Sequence, residues 1–244
     1  MLSSKKEEFN INAIIKSTIG LNNAGESCYM ASIIQILIHL EKFLDSLKKY
    51  YTKQNKLYTE FYKFLKKLEQ GNCETETVYK VYYKYIEIIE IAKVYNSINH
   101  KFKGTEGNNP MIFFKEFIND LNKNILSLFE GEKEIQFIEN EENKEKTTEN
   151  FIFYLVTLDK NNQTLGDYFF NNLYIEKEIE NEKDEKIIEK ITKFPEILVI
   201  NLELEISNYK PENNIVISKN EKDDDFMIYE LKAINKYSEA HSIA

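Results

Sequence analysis

A cysteine at the junction between a polar loop and an apolar helical pattern is the clearest candidate for chemistry in this chain. The loop runs from Thr18 to Ser27, and Cys28 opens a segment whose apolar residues recur at helical spacing. The first backbone amides of a helix have no partners inside the helix, and together with the helix dipole they favour a thiolate. The thiolate is the nucleophilic form of cysteine, so this position suits covalent catalysis.

The segment before Cys28 contains two residues that could support such a reaction, Asn23 and Gly25. Gly25 allows the backbone to pass close to the sulfur in conformations that other residues resist. The side-chain amide of Asn23 could donate to the oxyanion that forms at an attacked carbonyl. From the residues alone the alternative stays open that Cys28 is simply a small buried apolar side chain.

A cysteine nucleophile needs a base, and the chain has 3 histidines. His39 follows Cys28 on the same predicted helix at a distance of roughly 16 Å, which is too far to take the thiol proton, and it suits helix packing better. His100 has no supporting context and is predicted to be a surface residue. His241 closes a strand-like segment near the end of the chain, where the alternative is a surface histidine.

The segments around Cys28 and His241 resemble the two boxes of the ubiquitin-specific proteases, a family of papain-like cysteine peptidases. The cysteine box, Gly-Leu-x-Asn-x-Gly-x-x-Cys-Tyr-x-x-x-x-x-Gln-x-Leu, is matched at Gly20, Leu21, Asn23, Gly25, Cys28, Tyr29, Gln35 and Leu37. One departure is Ala31, where the family usually has asparagine. The histidine box begins Tyr-x-Leu-x-Ala and is matched at Tyr229, Leu231, Ala233 and His241.

Three weaker segments resemble the same family in the same order. They cover residues 109–121, a helix of the family; residues 151–167, a strand followed by Thr-Leu-x-Asp; and residues 194–202, a second strand. The resemblance therefore extends over residues 18–244 and does not depend on one motif.

The resemblance implies a deubiquitinase that hydrolyses the bond after the C-terminal glycine of ubiquitin. Cys28 would attack the carbonyl, His241 would act as general base and acid, and Asn23 would hold the oxyanion. We expect the Cys28 sulfur and a His241 ring nitrogen within about 3–5 Å of each other. The partners implied are ubiquitin or ubiquitinated proteins, and no cofactor is required. The alternative is a catalytically impaired scaffold or ubiquitin-binding module, and a third hypothesis is a helical interaction protein with an accidental cysteine.

The sequence departs from the family in three places. The two Cys-x-x-Cys pairs that often bind zinc would fall near residues 132–150 and 176–190, but the chain has only Cys28 and Cys73, so no zinc site is predicted. Asn109 and Ile112 stand where the family's carboxylates pair with the basic tail of ubiquitin. The printed sequence stops at Ala244, before the Asp or Asn that orients the family's histidine, which suggests a truncated product or a degenerate domain.

The elements that would position these residues are helices first and strands second, as in an α+β domain. The residues alone predict helices over 28–50, 57–68, 76–94 and 110–128, with Gly71 and Pro110 as boundary signals. Strands are predicted over 151–158, 194–204, 214–218 and 227–235. Residues 132–150 form a charged stretch with little core content, and residues 176–193 could be a hairpin or a helix.

The resemblance assigns these elements to a papain-like cysteine peptidase fold with a helical thumb, an antiparallel β-sheet palm and reduced fingers. A polar lead-in would occupy residues 1–16 and the catalytic domain residues 17–244. Within it the thumb would extend over about 17–130 and the fingers and palm over about 131–244, with the C-terminal end missing.

Composition limits the partners. The formal net charge of −9 argues against nucleic-acid binding, which needs an excess of Lys and Arg facing phosphate. The longest apolar segment, residues 33–40, is too short to span a bilayer, and no signal peptide is recognised. Two cysteines give no disulfide framework, which predicts a reducing, intracellular location in the cytoplasm or nucleus. The oligomeric state is not indicated.

Overall fold

The structure, a computed structural model, describes residues 9–22, 28–51, 54–71, 74–78, 81–87, 109–139, 142–158, 164–171, 175–178, 185–204, 209–218, 226–238 and 241–243. The chain folds into two compact units, one of residues 1–126 with 232–244 and one of residues 127–231. In the described part, the first is mainly helical and the second is built mainly from strands, which agrees with an α+β chain.

The described helices have these bounds: α1 Ile11–Ile15, α2 Cys28–Leu37, α3 Glu41–Tyr50, α4 Lys56–Gln70, α5 Pro110–Leu121, α6 Lys123–Leu126 and α7 Leu165–Asn171. The described strands are β1 Gly20–Asn22, β2 Glu74–Val78, β3 Val81–Glu87, β4 Gly131–Glu139, β5 Glu142–Phe151, β6 Tyr154–Leu158, β7 Ile175–Glu178, β8 Glu185–Lys193, β9 Ile200–Leu204, β10 Asn214–Ser218, β11 Phe226–Glu230, β12 Lys236–Ser238 and β13 His241–Ile243. No helix among the described residues is long and apolar enough to cross a membrane.

Two helix boundaries agree with the local signals in the sequence. Helix α4 ends at Gly71, which adopts φ 66° and donates its N–H to the Leu68 carbonyl. Helix α5 begins with Pro110 after Asn109, whose side chain accepts hydrogen bonds from the first-turn amides. These predictions are confirmed because capping residues act locally, without help from distant parts of the chain.

The helix predicted over residues 28–50 is wrong as a single element, because it ends at Leu37 and a new helix begins at Glu41. Between them the His39 amide bonds to the Ile36 carbonyl, and the imidazole Nδ1 of His39 donates to the Gln35 carbonyl at 2.7 Å. These contacts satisfy the Gln35 and Ile36 carbonyls, which the amides of a continuing helix would otherwise bind. The apolar periodicity continues through the break because α2 and α3 each bury an apolar face.

The helix predicted over residues 76–94 is also wrong in its described part, which forms strands β2 and β3. Strand β3 pairs antiparallel with β2 and parallel with β1, giving the order β1-β3-β2. The segment is rich in Tyr, Val and Thr, which favour strands, and a dense run of such residues fits both periodicities. Residues 88–94 lie outside the described residues.

The N-terminal segment is more than a polar lead-in. Phe9 is 1% exposed and Ile14 is fully buried, and α1 lies against α3 and α4. The Asn10 side chain caps α1 by accepting from the Ala13 amide at 3.3 Å. The prediction missed this although apolar residues recur at helical spacing between Phe9 and Ile15.

The second unit contains a four-stranded antiparallel sheet in the order β5-β4-β8-β7. It takes in the charged stretch 132–150, which forms a long hairpin rather than a coreless segment, since Ile135 is buried. In the described part of the ambiguous stretch 176–193, β7 and β8 pair antiparallel, which agrees with a hairpin rather than a helix. Strands β6 and β9 pair in parallel, and β10 and β11 pair antiparallel.

Candidate active site

Cys28 is the first residue of α2, and its side chain is half-buried with a free thiol. The strand β1 precedes it and lies against α2. The prediction that a helix begins at Cys28 is therefore confirmed. Asn23, Gly25 and Cys73 lie outside the described residues, so their roles stay predictions.

Buried side chains hold the helix that carries Cys28. One face of α2 is packed into the helical unit by the residues Tyr29, Met30, Ile33, Ile34 and Leu37. The Tyr29 ring meets the Phe113 ring of α5 edge to face, with centroids 5.5 Å apart. Ser32, itself buried, donates its hydroxyl to the Tyr29 carbonyl at 3.1 Å. Anchoring at the residue next to Cys28 fixes where the thiol-bearing end of the helix lies.

The strand that begins with His241 lies against α2. It is paired antiparallel with β12, with His241 opposite Ser238. The two family boxes from opposite ends of the chain thus contribute neighbouring elements of one unit. The His241 side chain is not among the described ones, so the distance from its ring to the Cys28 sulfur stays a prediction.

The other two histidines have different outcomes. His39 donates from Nδ1 to the Gln35 carbonyl, four residues earlier, where it caps the end of α2. This agrees with the expectation that His39 has a structural role on the helix. His100 lies outside the described residues.

The first turn of α5 carries the two positions at which the sequence departs from the ubiquitin-specific protease pattern. Asn109 is exposed, and its Oδ1 accepts from the Met111 and Ile112 amides at 2.8 and 3.4 Å. Ile112 is 49% exposed, and the first turn contains no acidic residue. Sequence matching identified both positions, and the structure shows that the Asn109 side chain is engaged as the helix cap.

Another histidine-box residue has a clear structural task within the strand unit. The Tyr229 hydroxyl donates to the Pro195 carbonyl at 2.6 Å, and burial raises the pKa of Tyr229 to about 12. Two residues after Tyr229, the Leu231 amide donates to the Asn213 carbonyl at 2.7 Å. The pattern Tyr-x-Leu therefore marks a strand end that is tied to two other segments, and Tyr229 serves the fold.

The sequence profile of the family described as ubiquitin carboxyl-terminal hydrolase matches residues 19–242. The match covers most of the chain, so the chain belongs to this family. No curated protein sequence matches the chain. The resemblance to ubiquitin-specific proteases that the two boxes indicated is confirmed.

Solved structures agree with this assignment, and 220 chains match. One is a cysteine-to-alanine variant of Ubp8 in the SAGA DUB module with Sgf11, Sus1 and Sgf73, bound to monoubiquitin. Its TM-score is 0.71 at 17% identity, and the match covers 99% of this chain and 63% of that chain. A second is the Ubp8 module bound to ubiquitin aldehyde, with a TM-score of 0.65 at 19% identity, covering 99% of this chain and 64% of that chain.

Identities this low establish the fold and leave activity to be argued from the site. The similarity confirms the predicted α+β fold of a ubiquitin-specific protease, with its antiparallel sheet elements. The chain spans less than two thirds of the length of the Ubp8 chains that it matches.

Proposed function

We propose that this chain is a cysteine-type deubiquitinase that hydrolyses the isopeptide or peptide bond after the C-terminal glycine of ubiquitin. The observation that carries the proposal is the contact of β13, which begins with His241, with α2, which begins with Cys28. A base and a nucleophile on adjacent elements of one compact unit are what acyl transfer by a thiol requires. Family membership supports the same reaction.

The proposed reaction proceeds through a thioester. His241 takes the proton of the Cys28 thiol, and the thiolate attacks the carbonyl carbon of the terminal glycine. The resulting oxyanion accepts hydrogen bonds from the Asn23 side chain and from backbone amides at the start of α2. Its collapse breaks the C–N bond, and His241 returns the proton to the leaving amine. Water then hydrolyses the thioester, with His241 as base, and frees the glycine carboxylate and the thiol.

The substrate and the location follow from the same reasoning. Ubiquitin or a ubiquitinated protein is the proposed partner, since the similar Ubp8 structures contain monoubiquitin or ubiquitin aldehyde. We also propose that the protein works in the cytoplasm or nucleus, because a thiol nucleophile has to remain reduced. The proposed reaction uses side chains, backbone amides and water, and needs no cofactor.

A ubiquitin probe with a thiol-reactive C-terminus tests the nucleophile. We expect the probe to modify Cys28, as located by mass spectrometry, and we expect Cys28→Ala to abolish the adduct. The matched control is Cys73→Ala, which should leave labelling unchanged. His241→Ala should slow labelling and His100→Ala should not. Labelling that survives Cys28→Ala would refute the assignment. Ubiquitin binding without labelling of Cys28 would favour the alternative of a scaffold or ubiquitin-binding module.

A further inference from the structure

Helix α2 buries one polar side chain, that of Ser32, in addition to its apolar face. Ser32 is 4% exposed, and in the described part of the chain Glu189 is the other polar residue that is buried. Burying a hydroxyl is unfavourable unless it is hydrogen bonded, and alanine has the higher helix propensity. Neither packing nor helix formation therefore explains why this position holds a serine.

Ser32 lies one helical turn after Cys28. Residues four apart fall on the same face of an α-helix, so Ser32 continues the face that begins with Cys28. Its hydroxyl donates to the carbonyl of Tyr29, the residue next to Cys28, at 3.1 Å. In a regular helix this carbonyl also accepts the amide of Ile33, so the serine adds a second hydrogen bond to one oxygen. The added bond holds an oxygen in the first turn of the helix that carries the thiol.

The Tyr29 carbonyl and the Met30 amide belong to one peptide group. A peptide group is planar, so a second bond to its oxygen restricts the orientation of the N–H at its other end. Hydrogen bonds to a carbonyl also polarise the group, which strengthens the N–H as a donor by about 10–30%. The Met30 amide lies in the first turn, where amides have no partner inside the helix and point towards the end that carries Cys28.

We propose that Ser32 is a positioning residue for acyl transfer: it orients and polarises the peptide group that ends in the Met30 amide, so that this N–H donates to the oxyanion formed by attack of Cys28. This inference rests on the proposed function, because it takes Cys28 as the nucleophile. During the attack, the electron pair of the carbonyl π-bond moves to the oxygen, and a donor held in place beforehand stabilises the new charge without reorganisation. Ser32 acts through the peptide group and takes no part in bond making.

Two small reagents separate this role from a general disturbance of the thiol. Acylation of Cys28 by p-nitrophenyl acetate passes through an oxyanion, because the thiolate adds to the ester carbonyl before nitrophenolate leaves. Alkylation by iodoacetamide displaces iodide from a saturated carbon and forms no oxyanion. Both rates are measured at Cys28 by mass spectrometry in the Cys73→Ala protein, in which Cys28 is the remaining cysteine.

Ser32→Ala should slow acylation about twofold to fivefold, because it weakens a donor, whereas removing an oxyanion donor outright costs about 10²–10³. The same variant should leave alkylation unchanged. Ser32→Thr retains the hydroxyl and should keep the acylation rate of the parent protein. Ser46→Ala, the same substitution at a half-buried serine of α3, should alter neither rate. Thermal unfolding verifies that each variant is folded.

The outcomes separate this inference from the proposed function. Four results would each overturn the role of Ser32: unchanged acylation in Ser32→Ala, equal losses of acylation and alkylation, a folded Ser32→Thr with the same deficit as the alanine variant, or no acylation of Cys28 in the parent protein. Labelling of Cys28 by the ubiquitin probe would still support the hydrolase in those cases. A selective loss of acylation in Ser32→Ala, without labelling by the ubiquitin probe, would support the role of Ser32 and count against ubiquitin as the substrate.

Discussion

The two units of the molecule bury different kinds of side chain. In the described part of the helical unit, the largest fully buried residues are apolar or aromatic, such as Phe61, Phe113 and Phe117, which pack ring against ring. In the strand unit, Glu189 is buried at 6% exposure beside a core of Tyr, Phe, Ile, Val and Leu residues. The helical unit therefore depends on shape and volume, whereas the strand unit also depends on a charge that must be satisfied.

Glu189 is satisfied by two partners, one on the neighbouring strand β4 and one on β6 of another sheet. Its carboxylate accepts a hydrogen bond from the Lys133 ammonium at 2.8 Å and one from the Tyr154 hydroxyl at 3.0 Å. A shift of β8 by one residue would turn Glu189 to the opposite face of the sheet and separate it from both. A buried ion pair gains little net stability over apolar residues, so its main contribution here is to define the pairing of β4 with β8.

The largest expected effect is the loss of a ring from the helical core. Phe117 is fully buried and lies 5.3 Å from Phe113 and 5.6 Å from Phe61 between ring centroids. Phe117→Ala should lower the free energy of unfolding by about 3–5 kcal/mol, because it leaves a cavity in a packed core. Chemical denaturation measures the change. The control on the same helix, Ile112→Ala, should stay within about 0.5 kcal/mol. Similar losses in both variants would contradict the assignment of the two faces.

The second effect concerns the buried charge of the strand unit. Glu189→Gln removes the closer of two carboxylates beside Lys133, whose side chain is 18% exposed and also lies 3.9 Å from Glu149, and should cost about 2–4 kcal/mol of unfolding free energy. The triple variant Lys133→Met, Tyr154→Phe, Glu189→Leu removes all three polar groups and should recover most of this loss.

A control is the more solvent-accessible ion pair between Lys146 and Glu134, at 2.9 Å on the same sheet. Glu134→Gln should change stability by less than about 1 kcal/mol, since solvent screens such pairs. Denaturation curves of the unaltered protein, Glu189→Gln and Glu134→Gln measure the two losses of stability. A cost for Glu134→Gln as large as that for Glu189→Gln would show that burial is not the cause.

The smallest expected effect concerns buried tyrosine hydroxyls, and it is measurable only at alkaline pH. Burial, and then the charge of Glu189, raise the pKa of Tyr168 to about 12, and burial raises that of Tyr58 in the helical unit as well. Tyrosine in an unfolded chain titrates near pH 10. A raised pKa in the folded state means that the stabilisation is complete below about pH 10 and is lost as the pH rises through about 12.

Ultraviolet titration of tyrosinate, with circular dichroism to follow folding, measures this behaviour. We expect a late component near pH 12 that becomes smaller in Tyr168→Phe. Because the charge of Glu189 raises the pKa of Tyr168, Glu189→Gln should move the Tyr168 titration to lower pH. The Tyr58 titration in the helical unit should not move, since Glu189 does not act on it. A single titration centred near pH 10 in the folded protein would contradict the burial of these hydroxyls.

Local signals in the sequence were sufficient where one or two residues decide the backbone. Asn109 and Pro110 start α5, Gly71 ends α4, and Cys28 starts α2, as predicted. The family resemblance depended on the same local blocks, and the match over residues 19–242 confirms it. Such elements could be predicted because caps and motifs act within a few residues.

Other elements could not be predicted because neighbouring chain segments decide them. The Val81–Glu87 segment forms a strand since it pairs with both β1 and β2, although its aromatic stripe also fits a helix. The break after Leu37 is a local exception: His39 caps the carbonyl of Gln35, and the apolar periodicity that continues past this point conceals the break. In both cases a tertiary or capping contact outweighed periodicity.

By itself, the sequence determined the starts of α2 and α5, the end of α4, the α+β class, the family, and the candidate residues Cys28, His241 and Asn23. Only the tertiary structure decided that β13 lies against α2, that Glu189 is buried and that Ile112 is exposed. Exposure and contact depend on which distant segments pack together, and residues of the same type can have opposite fates within one chain. That dependence on long-range packing is the physical reason why composition and spacing predicted several elements but not their surroundings.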